Sequence, residues 1–218
     1  VRQLLEEQGT VSVKEISDAL GVSDMTIRRD LEELAGCLAL TALRPSGRQG
    51  RVRRRFLSAV TPEGLSFCTE TAAAVCGRVY VLEDSYGLAP ALLQRVLEQA
   101  LQLGQTCLVC YTPLQPDGAP AHLLVPGAGA AFVASSPDFP YAGERCCTLE
   151  LDGTLPPAAR DTLHFARDTA GTLLRKAAEH VREAKRIHDE LEALCRPYVD
   201  FAAADALTER TLHELFPA

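Results

Sequence analysis

The chain has no apolar run close to the roughly 20 residues that a membrane-spanning helix needs, so a helical span is excluded. It also lacks a leader-like start. Val1-Arg2-Gln3 runs straight into Leu4-Leu5-Glu6-Glu7, so no signal peptide and a cytoplasmic location are expected. There is no overall excess of basic charge: the net charge is −7. A protein basic throughout, coating nucleic acid along its whole surface, is thereby excluded. No catalytic set stands out either. His122, His164, His180, His188 and His213 share no metal-ligand spacing, and neither a metal nor a cofactor is expected.

What is present is ordinary for a soluble globular protein, with 47% apolar and 23% charged residues over 218 positions. The eight cysteines, with no secretion signal, suggest reduced thiols. Cys107-Leu108-Val109-Cys110 has redox or zinc spacing, but it falls in an expected strand, where residues three apart face opposite ways. It is therefore read as core, as are Cys146-Cys147 and the scattered Cys37, Cys68, Cys76 and Cys195. Charge is unevenly placed. Residues 1–58 carry a net of +2 and the remaining 160 a net of −9, which suggests one nucleic-acid-facing end on an acidic body.

That end reads as helix, tight turn, helix. Ser12 and Glu15 form a capping box, Ile16, Ala19 and Leu20 share a face, and Gly21 suits a helix stop. Ser23 can cap the next helix. Within it Ile27, Leu31 and Leu34 recur at i, i+4 and i+7 and face inward. Met25, Arg29 and Glu32 then point away, with Thr26 and Arg28 on the flanks. Arginine can take guanine edges or phosphates, and threonine a phosphate or a thymine methyl. From spacing alone, an ordinary three-helix surface with internally paired arginines stays open.

The string from Val11 to Leu31, with Met25-Thr26-Ile27-Arg28-Arg29-Asp30-Leu31 at its centre, resembles the DeoR-type helix-turn-helix of bacterial transcriptional regulators. The resemblance implies a winged helix over residues 1–56, with Ser23 to Leu34 as recognition helix and double-stranded DNA as partner. Ser23, Met25, Thr26, Arg28 and Arg29 become the expected DNA-facing residues. The family's usual basic, glycine-rich wing is missing in its standard form. Leu38 to Arg44, a turn at Pro45 to Gly50, and Arg51 to Phe56 could form a hairpin in its place. Arg48 and Arg51, with Arg53, Arg54 and Arg55, would then attract phosphates. A basic linker is the alternative.

The remainder, residues 57–218, reads as an α/β layer. Strands are expected at Val79 to Leu82, Cys107 to Tyr111, His122 to Val125, Ala131 to Ala134 and Cys147 to Leu151, with a helix from Pro90 to Leu103. This order suggests a parallel sheet. Phe56 to Gly64, Arg78 to Glu83 and Ala184 to Glu192 resemble a bacterial P-loop ATPase family built from tandem nucleotide-binding repeats. The resemblance covers about 56–215 and implies a P-loop-NTPase-like fold. A working phosphate loop needs Gly-x4-Gly-Lys-Ser/Thr. Here Gly87 alone survives, Pro90 stands where lysine would, and Ala91 stands where the magnesium-binding hydroxyl would. Glu83 and Asp84 add negative charge. The domain is thus expected to be catalytically inactive, not an enzyme. A weak anion seat at the following helix N-terminus is a remaining alternative.

A long C-terminal helical hairpin is expected over about 157–215. Leu163, Ala166, Ala170, Leu173, Ala177, Val181, Ala184, Ile187, Leu191 and Leu194 make a stripe with coiled-coil-like spacing. It can pack on its own sheet or form a homodimer seam. The function expected from the sequence is a DNA-binding transcriptional regulator whose inactive body senses a small-molecule or anionic effector or dimerises. A nucleotide-binding ATPase with an atypical loop and a protein–protein adaptor are the alternatives.

Overall fold

The computed structural model describes residues 10–12, 47 and 49–216. Nine strands lie among them: β1 (Thr10–Ser12), β2 (Arg51–Arg55), β3 (Ser58–Thr61), β4 (Gly64–Phe67), β5 (Arg78–Glu83), β6 (Thr106–Cys110), β7 (His122–Val125), β8 (Ala130–Ser135) and β9 (Cys147–Glu150). The helices are α1 (Thr69–Val75), α2 (Ala89–Gln102), α3 (Pro157–Cys195) and α4 (Phe201–Leu215). Seven strands form one sheet in the order β1-β9-β5-β8-β7-β6-β2, and β3 and β4 form a separate hairpin.

The sheet is mixed, which corrects the expected parallel one. β7 runs antiparallel to both β6 and β8, while β9, β5 and β8 are parallel, as are β2 and β6. The cause is local. Pro126, Gly127 and Ala128 make a tight turn, and Gly129 takes the left-handed conformation at φ 61°. Only a short turn of that kind can return a strand beside its neighbour. By contrast, α2 carries the chain from β5 over to β6, the crossover that parallel strands require.

Each sheet face has its own core. On one, Leu92, Leu93, Val96, Leu97 and Ala100 of α2 pack on Leu82, Val109, Leu123, Phe132 and Leu149. These α2 positions recur every three or four residues, and full burial of each larger side chain is worth about 1.5–3 kcal/mol. On the other face Leu57, Ala72, Val79, Val81, Leu124, Val133 and Tyr141 cluster. The strand reading of the cysteine pair holds: Cys107 belongs to the first core and Cys110 to the second. Burial pushes their thiols up to about 11 and about 12. Cys76 and Cys147 are also buried, whereas Cys68, Cys146 and Cys195 are exposed, against expectation. Cys37 lies outside the described residues.

The 39-residue α3 is about 58 Å long at 1.5 Å per residue. It packs against the β3–β4 hairpin, and its more buried positions are Gly171, Leu174, Ala177 and Ala178, of which only Ala177 belongs to the expected stripe. Gly171 lets the helix approach closely, since a Cβ there would stand 2.8 Å from the Asp138 carboxylate, which pairs with Arg175 at 3.0 Å. The stripe remains outside: Leu173, Ile187, Leu191 and Leu194 are all more than half exposed. So are Phe201, Leu207, Leu212 and Leu215 of α4.

Gly50, just before β2, is a second point of close approach. A Cβ there would meet the Leu101 backbone at 2.6 Å, beside the Arg51 N–H bond to the Gln105 carbonyl at 3.1 Å. Backbone cannot swing aside as a side chain can. We expect Gly50→Ala to cost about 1–3 kcal/mol, measured by urea unfolding. A loss below the error of that measurement would mean that β2 does not seat against α2 as described.

Candidate nucleic-acid interface and the strand-to-helix loop

The expected DNA-facing residues Ser23, Met25, Thr26, Arg28, Arg29 and Arg48 lie outside the described residues. Arg51 is placed. The Arg51–Arg55 segment is not the return strand of a hairpin: it pairs parallel with β6, Arg51 opposite Thr106 and Arg55 opposite Cys110. It forms the last strand at one edge of the sheet among the described residues. The proposed hairpin partner, Leu38 to Arg44, is outside the described residues. Ser12, expected to cap a helix, lies instead in β1, paired with Glu150 of β9.

Alternation along β2 sorts its arginines. Arg54 donates to the Pro116 carbonyl at 2.7 Å and to Asp117 at 3.0 Å, with its guanidinium 4.5 Å from the centre of the Tyr111 ring. Arg55 donates to the Arg54 carbonyl at 2.7 Å. Arg51 and Arg53 project on one side and line an open groove of about 870 Å³ with Gln49, Gln105, Thr106 and Gly127.

The loop between β5 and α2 occupies the position expected for a phosphate loop. Gly87 has φ 77°, so the chain can turn with its amides pointing inward. Those amides already have a ligand. Asp84, only 7% exposed, accepts from Tyr86 N–H at 3.2 Å and Leu88 N–H at 2.9 Å through Oδ1, and from Ala89 N–H at 2.7 Å through Oδ2. Ser85 N–H donates to Asp152 Oδ1 at 2.8 Å. A carboxylate here satisfies orphan donors of the helix N-terminus and complements its dipole. The anion seat left open by the sequence is thus filled from within. Glu83 does not add to that charge; it pairs with Arg145 at 3.7 Å. The role of Asp152, 68 residues beyond Asp84 in the chain, had no local signal.

Among the described residues, one cluster has the ligand types for a metal: His188, Asp189 and Glu192, all exposed on α3. Lys185 already holds both Asp189 oxygens at 2.8 Å, and the group is read as a solvated helix surface.

Comparison with known proteins concerns the N-terminal part. The DeoR-like helix-turn-helix domain matches residues 1–43. A lactose phosphotransferase system repressor of Streptococcus mutans serotype c (strain ATCC 700610 / UA159) is 40% identical over 52 residues, 24% of this chain and 21% of that protein. The chain thus spans about a fifth of that relative's length. No solved structure matches. The P-loop ATPase resemblance of the body is supported by neither similarity. What these similarities do establish is the nature of the chain's beginning, which carries a DeoR-type helix-turn-helix domain.

Proposed function

We propose that the protein is a DNA-binding transcriptional regulator. The observation that carries this reading is the helix-turn-helix match over residues 1–43, with a hydroxyl and two adjacent guanidinium groups on its second helix. In this reading Ser23 caps the recognition helix, and Met25, Thr26, Arg28 and Arg29 face the major groove. Arg48 and Arg51 take phosphates. The repressor named above is 40% identical over 52 residues, which favours regulation over the adaptor alternative. The body supplies no phosphoryl-transfer chemistry in this reading, because Asp84 holds the loop amides that a nucleotide would need and no lysine follows. Homodimerisation through the exposed stripe of α3 and the apolar side of α4 completes the proposal, since paired recognition helices on two half-sites multiply affinity.

The test is duplex binding by fluorescence anisotropy at low salt, using a fragment selected from random sequence by the protein itself. Arg28→Ala/Arg29→Ala should weaken binding about thirty- to a hundredfold, at the lower end of about 1–3 kcal/mol per lost contact. Equal affinity of the variant and the parent chain would sink the assignment of these two residues. No duplex retained in selection would sink the regulator reading itself.

A further inference from the structure

The body is acidic, yet one edge of its sheet carries four arginines in five residues, Arg51, Arg53, Arg54 and Arg55. Two are occupied, Arg54 by Asp117 and Arg55 by a backbone carbonyl. The guanidinium groups of Arg51 and Arg53 have no hydrogen-bond or ion-pair partner among the described residues, and both residues are exposed. They stand on the same side of an edge strand. Their groove is lined further by Gln49, Gln105, Thr106 and Gly127, with no carboxylate among the described residues of its wall.

We propose that this groove is a second DNA-contact surface, built on the α/β body, in which Arg51 and Arg53 hold phosphates of the duplex engaged by the helix-turn-helix. The inference rests on the DNA-binding reading above and extends it from one domain to two. Alternate residues on a strand are roughly 6.6 Å apart, so the two guanidiniums can take neighbouring phosphates along one DNA strand. Arginine suits the task because its planar fork meets phosphate oxygens two at a time. Arg51 lies eight residues beyond the end of the helix-turn-helix match, a reach of at most about 28 Å. The groove is therefore tethered at high effective concentration to any duplex that the first domain holds. Addition of another β-strand is the other use of an open edge, and a run of positive charge disfavours it. The contact is to backbone, so it adds affinity for all sequences equally.

The experiment is the salt dependence of duplex affinity for the full chain. Each phosphate contact contributes about 0.9 to the slope of log affinity against log salt. Arg51→Gln/Arg53→Gln should reduce that slope by about two. The affinity lost between about 50 and 200 mM salt then becomes about tenfold smaller. Arg51→Lys/Arg53→Lys should keep most of the parent slope, and Arg54→Gln should keep all of it. Circular dichroism and the unfolding midpoint of the glutamine variant control for loss of the strand. If the glutamine variant loses the slope and the lysine variant, equally folded, loses it as well, charge is not the cause and the proposal falls. If the slope of the glutamine variant is unchanged while Arg28→Ala/Arg29→Ala weakens binding, the groove is not on DNA although the regulator reading stands. If the parent chain binds no duplex, both fall.

Discussion

Asp84→Ala should lower the unfolding free energy by about 4 kcal/mol, read as a shift of the urea midpoint at unchanged slope. Three backbone N–H groups lose their acceptor together. Hydrogen bonds to a charged group are worth about 1.5–3 kcal/mol each, and leaving a buried donor unmet costs about as much. Water entering the space left by the side chain offsets part of the loss, which sets the figure below the simple total. Asp84→Asn separates charge from geometry. Its carbonyl can still accept from Tyr86 and Leu88, but its amide faces the Ala89 N–H, donor against donor. About half the loss should therefore remain. A change below about 1 kcal/mol for the alanine variant would mean that solvent serves these amides as well as the carboxylate does.

Acidification from pH 7 to 4 should remove about 3 kcal/mol of stability through His122 alone. The ring is buried, stacked on Phe67 with centroids 5.0 Å apart, and its Nδ1 accepts the Ala134 N–H at 3.1 Å. Burial pulls its pKa down to about 4 from 6.5. The fold thus holds the neutral ring while the unfolded chain takes up a proton near pH 6.5. Stability is complete above that pH and falls as protons bind the unfolded state. The fall ends near pH 4, where the folded ring also protonates. A gap of that size is worth about 3 kcal/mol. Carboxylates titrate over part of the same range, so the measurement is the difference between the parent chain and His122→Gln, whose side-chain carbonyl can still accept from Ala134. Parallel pH profiles for the two proteins would refute the assignment.

Much of the body was legible because its elements are bounded by their own chemistry. The run from Val79 to Leu82 is apolar on both faces, as a central strand is, and it lies within β5. The helix expected from Pro90 to Leu103 matches α2, shifted by one residue at each end. Strand direction was not legible. Nothing within His122–Val125 says that it runs against its neighbours; that is set by the turn at Pro126 to Gly129 and by two partners elsewhere in the chain. The arginine-rich strand misled for the same reason. Its residues read as the return strand of a basic hairpin, and its actual partner, β6, begins more than fifty positions away. In α3 the stripe does not pack on the chain's own sheet, one of the two uses that its spacing allowed. The periodic stripe is the more apolar side, but the contact is made where Gly171 admits Asp138. Asp84 shows the limit of reading charge without geometry. Taken as a repulsive group, it is instead the acceptor around which the loop closes. The expected DNA-facing residues, Ser23 to Arg29, lie outside the described ones, and their assignment rests on residue pattern and resemblance.

The sheet order has a mechanical consequence. β1 and β2 lie at opposite edges, six strand intervals apart, or about 29 Å at roughly 4.8 Å per interval. The two strands that flank residues 13–50 in the sequence are thus held at opposite rims of one slab, β1 by β9 and β2 by β6. Load applied at either rim passes into β9 on one side and β6 on the other. Edge strands have a neighbour on one side only, so in the regulator reading proposed above heat or denaturant should loosen these rims, and weaken hold on DNA, before the interior of the slab gives way.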